Sequence, residues 1–145
     1  MNGARVSYTL QVVVQGWDRL DWSGIVLPLA LSVSPLVDVA ISGDGRSFDA
    51  TVQARPGAPT RLAAFWAVTE NGHRSAVTAG ENAGEKLAHD HVVRELHRVP
   101  PWTASSIRLR FSPAAAADAT HPRALSLVVI DAATGRPLQA LRLPC

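Results

Sequence analysis

The stretch VDVAISGDGRSFDATVQ, residues 37–53, decides the fold. Val37, Val39 and Ile41 alternate with Asp38, Ala40 and Ser42. After the turn Gly43-Asp44-Gly45-Arg46, Phe48, Ala50 and Val52 alternate with Asp49, Thr51 and Gln53. A period of two sends successive side chains to opposite faces of a strand. The pattern therefore predicts a β-hairpin with one buried and one wet face.

The same grammar continues towards the carboxyl end. RLAAFWAVTE at 61–70 runs into Asn71-Gly72 and then HRSAVT. Asn-Gly between two apolar runs is a strong signal for a type I′ hairpin turn, because both residues tolerate positive φ. Ile107, Leu109 and Phe111 alternate with Arg108 and Arg110, ALSLVVIDA at 124–132 reads as a central strand, and PLQALRL at 137–143 as another. SPAAAADA at 112–119 has alanine's helix propensity but no apolar stripe, which leaves a short turn or loop. Short strands joined by Gly, Pro, Asn and Asp turns predict an all-β, antiparallel β-sandwich of about seven to nine strands.

Towards the amino end the pattern weakens. VSYTLQVVVQGWDRLDW at 6–22 reads as a strand, a turn at Gln15-Gly16 and a second short strand. SGIVLPLALSV after it fits neither element cleanly, and Pro28 and Pro35 exclude a helix longer than about two turns. Residues 1–24 are thus expected to be a hairpin separate from a sandwich of residues 25–145. The most apolar run, GIVLPLALSV at 24–33, is also too short for a membrane span.

Bulk composition narrows the classes. The chain has 145 residues, 47 % of them apolar and 18 % charged, which suits one globular domain. Fourteen basic and twelve acidic side chains leave a net charge of +2, with no basic stripe. No nucleic-acid partner and no membrane association are expected. The start, MNGARVSYTL, lacks a signal-peptide pattern, so the residues as they stand read as cytoplasmic. The single cysteine, Cys145, excludes an intrachain disulfide and a C-x-x-C pair within these residues. Of the four tryptophans, Trp66 is expected in the core. Trp17, Trp22 and Trp102 are expected at its edge, with the indole N–H towards water.

Chemistry concentrates in AGENAGEKLAHDHVVRELHR, residues 79–98, which holds three of the five histidines. Its β-branched centre, His91-Val92-Val93-Arg94, reads as a strand that Pro100-Pro101 should stop. If the strand is extended, His89 and His91 share a face with Cβ atoms ~7 Å apart and would both reach one copper or zinc ion. A metal needs further ligands, and the remaining candidates, His73, His97, His121, Glu81 and Glu85, sit at no signature spacing. The competing reading is structural. Glu81, Asn82, His89, Asp90, His91 and Arg94 would form a polar cluster tying the 79–84 loop to the strand, with Arg94 on Asp90 or on a loop carbonyl. No nucleophile elbow, phosphate loop or paired carboxylates accompany them, so no catalytic residue is assigned.

The run RLAAFWAVTENGHRSAV followed by AGENAGEKLAHDHVVRELHRVPPW resembles a bacterial family of secreted proteins, domain-of-unknown-function family 1223. Gly80, Glu81, Asn82 and Gly84 match its G-E-N-x-G turn; Leu87, His89, His91, Val92, Val93 and Arg94 match its L-x-H-x-H-V-V-R. The resemblance implies export to the periplasm or beyond, and a thioredoxin-like half with a C-x-x-C ahead of a β-rich half. Leu10 stands in Ser7-Tyr8-Thr9-Leu10-Gln11 where the family carries proline. The chain then reads as the carboxyl-terminal portion of such a protein, with residues 1–24 a remnant of the thioredoxin-like domain. The implied redox chemistry would need the missing half. The expected function is a non-enzymatic accessory or interaction domain with a protein partner, monomeric or weakly dimeric. Copper or zinc on His89 and His91 is the alternative.

Overall fold

The computed structural model describes residues 35–145 throughout, and the backbone of residues 12–14 and 17–19. The chain forms two compact units, Met1–Ser34 and Pro35–Cys145. In the first, β1 (Val12–Val14) pairs antiparallel with β2 (Trp17–Arg19). The rest of the expected 6–22 hairpin, the 24/25 boundary and the side chains of Trp17 and Trp22 lie outside the described residues.

The second unit is all-β. Nine strands follow in order: β3 (Val37–Gly43), β4 (Phe48–Ala54), β5 (Arg61–Glu70), β6 (His73–Ala76), β7 (Lys86–His89), β8 (Val92–Thr103), β9 (Ile107–Phe111), β10 (Arg123–Asp131) and β11 (Pro137–Pro144). A four-stranded antiparallel sheet, β11-β10-β5-β8, faces a three-stranded one, β3-β4-β9. The described residues contain no helix; 112–119 is a loop.

Alternation dictates which side chains meet. Phe48, Ala50 and Val52 of β4, with Leu109 and Phe111 of β9, turn inward from the small sheet. Leu62, Ala64, Trp66 and Val68 of β5, with Leu125, Leu127 and Val129 of β10, turn inward from the large one. Burying each large apolar side chain contributes roughly 1.5–3 kcal/mol, and this layer holds the sheets together. Trp66 stacks on Phe111 with ring centroids 5.6 Å apart, joining the two sheets at the centre. Trp102 packs at the edge of the core as expected, but its Nε1 is buried without a hydrogen-bond partner and not turned to water.

The outer face of the small sheet is charged. There the Arg110 guanidinium donates to Asp49 over 2.9 and 3.1 Å and holds its carboxyl below the usual aspartate range.

The largest departure from the sequence reading concerns Asn71-Gly72. It is not a hairpin turn between β5 and β6. β5 pairs with β8 and β10, whereas β6 pairs with β7. Glu70 opposes Val92 and His73 opposes His89, so the register is kept across the break at Asn71-Gly72 and Asp90-His91, and β5–β6 with β7–β8 form one long hairpin. A type I′ turn needs positive φ at both central residues. Gly72 has it, at 77°, but Asn71 does not; His91 across the break is left-handed instead, at 56°. The prolines at 100–101 do not stop β8 either. It runs to Thr103, and a register shift opposite Leu62–Ala64 absorbs them.

Candidate functional site

Beyond the break the hairpin continues as a two-stranded arm, β6–β7, closed by the 77–85 loop. Nearly all its residues are exposed, Leu87 among them at 43 %. An isolated two-stranded ribbon is marginal in water. What holds this one is the set of polar side chains at the break.

Crossed hydrogen bonds bridge the two strands there. The Gly72 amide donates to Asp90 Oδ1 at 2.9 Å, and the His91 amide donates to Asn71 Oδ1 at 2.8 Å. Each side chain replaces a ladder bond that the kinked backbones no longer make. Asn71 also ties the break to the sandwich: its amide donates to the Pro122 carbonyl at 2.9 Å, and its own carbonyl accepts from His121 Nδ1 at 3.1 Å. A carbonyl only accepts, so Nδ1 carries the proton of that ring.

Beneath the break lies Glu70, 1 % exposed, the only buried charged residue among those described. It continues the inward row Leu62, Ala64, Trp66, Val68, so alternation aims it at the end of the core. Its Oε2 accepts from His73 Nε2 at 2.9 Å and faces Arg94 Nη1 at 3.4 Å. A bulge opposite Val68–Thr69 places Arg94 out of the regular register. His73 stacks on His121, with centroids 3.8 Å apart and planes 13° from parallel. His121 is set by its loop: its amide donates to the Asp118 carbonyl, and the Thr120 hydroxyl and amide both bind the Asp118 carboxylate. Those bonds, led by the hydroxyl, hold Asp118 below the usual aspartate range.

The residues singled out by sequence divide into three places. Asp90 and His91 meet at the break. Arg94 reaches it through Glu70, not through Asp90 or a loop carbonyl. His89 lies on the arm opposite His73, its Nε2 bonded to Ser75 Oγ at 2.7 Å. Glu81 and Asn82 occupy the exposed tip, a loop closed by backbone bonds such as Gly84 N–H to the Val77 carbonyl at 2.8 Å. His91 is left-handed and lies between β7 and β8, so the continuous extended strand from which a shared His89–His91 face was expected is not formed. Among the described residues no three or more His, Cys, Asp or Glu side chains gather as a metal would require. Glu70 and the His73–His121 stack were missed as a centre. The one available signal was a glutamate falling on the inward phase of an apolar strand.

The geometry defines a class: a small antiparallel β-sandwich carrying a polar-locked two-stranded arm. The chain belongs to the family described as "Protein of unknown function (DUF1223)", whose model matches residues 1–130. No curated protein matches it. It is similar to a crystal structure from a structural-genomics programme, of a protein from Agrobacterium tumefaciens. The two are 17 % identical with a TM-score of 0.43, over 74 % of this chain and 46 % of that one. The chain thus spans less than half of that protein's length.

Proposed function

We propose that this β domain is a non-enzymatic interaction module whose docking element is the β6–β7 arm, serving as the accessory part of an exported thioredoxin-like protein. The observation that carries the reading is the arm itself. It is a ribbon that cannot bury its own surface, yet it is anchored by a buried carboxylate and crossed hydrogen bonds. Free strand edges are templates for pairing with an extended segment of another protein. Among the described residues, neither β6 nor β7 pairs with any strand but the other. The face shared by His73, Ser75, Leu87 and His89 presents one exposed leucine beside hydrogen-bonding groups, a composition suited to a protein surface. The family resemblance, with its preceding C-x-x-C half, supports the accessory role and export.

A photo-crosslinking amino acid at Leu87, compared with one at Gln53 on the exposed side of β4, tests this in cells that make the protein. One discrete protein adduct is expected from position 87, competed by unlabelled chain and absent at position 53. Equal labelling at both positions, or none at either, contradicts it.

A further inference from the structure

Resting on the arm as the docking element, we infer that acidification releases the arm, through double protonation of the stacked His73–His121 pair. The structure places these two rings 3.8 Å apart on different elements, His73 on the arm and His121 on the loop leading into β10. In the locked state each ring uses one N–H: His73 Nε2 towards Glu70, and His121 Nδ1 towards the Asn71 carbonyl. Both bonds survive when the second nitrogen of each ring is unprotonated. One added proton is tolerated, since an imidazolium can stack on a neutral imidazole with Glu70 beside it. Two added protons put like charges face to face.

The surrounding charges decide how much of that repulsion is offset. Glu70 from β5 and Asp118 from the loop set negative charge around the two rings; Arg94 from β8, already facing Glu70, adds a positive one. Asp90 is committed to the Gly72 amide, and His91 and His89 flank the break on the β8 and β7 sides. Separating the rings is the available relief. It withdraws His121 from the Asn71 carbonyl and so loosens the residue that crosses the break. The loop's own acid group stays out of this range: Asp118 is held low, so the stability it contributes is present above about pH 4 and is lost only as pH falls through its depressed value. Histidine side chains in general change charge between roughly pH 8 and 5, well above the range in which the Asp118 turn is lost.

The test uses the full chain with Cys145→Ser and nitroxides at Ala88→Cys on the arm and Thr51→Cys on β4. The distance distribution is expected to be narrow at about pH 8 and roughly twofold broader at about pH 5, with amide protection of β5 and β10 unchanged. His121→Asn keeps a donor for the Asn71 carbonyl but removes one titrating ring, and should stay narrow at both values. His73→Gln, which keeps a donor to Glu70, should do the same. An identical distribution at both pH values, a pH response that persists in both variants, or unfolding of the whole sandwich would overturn the inference. Broadening without any Leu87 adduct at neutral pH would instead retain the switch and refute the docking reading.

Discussion

Glu70→Ala is expected to cost about 3 kcal/mol of folding stability, the lower end for removing one partner of a buried ionic pair. The residue is 1 % exposed and its Oε2 faces both His73 and Arg94. Truncation strands two donors at the base of the arm and opens a void at the end of the inward row of β5. The loss falls at the lower end because Arg94, with 45 % of its side chain exposed, can turn to water. Glu70→Gln keeps an acceptor of the same shape for His73 and should cost about 1 kcal/mol. Urea denaturation of the three proteins checks this. Equal stability of wild type and Glu70→Ala would mean that the carboxylate anchors nothing.

Trp66→Ala is expected to be still more damaging, by about 3–5 kcal/mol. Trp66 is fully buried on the central strand of the large sheet, opposite Leu127 and His97, and stacked on Phe111 of the other sheet. Its removal leaves a cavity where the sheets meet, and a domain stable by roughly 5–15 kcal/mol loses a large share of that margin. The denaturation midpoint should fall sharply with an unchanged slope, as for one cooperative unit. A change near that of a surface substitution would place the core elsewhere.

The sandwich was legible because each core strand writes its inward face as every second residue. Residues 37–42 and 48–53 became β3 and β4 in the expected hairpin, and ALSLVVIDA became a central strand flanked by β5 and β11. The break was not legible. Asn71-Gly72 carries the local chemistry of a tight turn, but tertiary pairing overrode it: β5 is held between β8 and β10, and Asn71 is fixed by Pro122 and His121, about fifty positions away. The same long-range contacts decided the polar site. His89, Asp90, His91 and Arg94 were visible as a local cluster, whereas Glu70 and His121 join it only through strand pairing. Alternation alone pointed Glu70 inward, and a buried carboxylate implies partners, though not which ones.

The polar lock at the break holds the arm as a fixed part of the domain. Amide hydrogen exchange at neutral pH tests it at two arm donors, Val77 N–H to the Glu85 carbonyl at 2.9 Å and Gly84 N–H to the Val77 carbonyl at 2.8 Å. Both lie at the far end of a ribbon that would fray if it stood alone. The prediction is clear protection at both in the wild type, lost in Glu70→Ala while β5 and β10 amides remain protected. Exchange at unfolded rates in the wild type would contradict it.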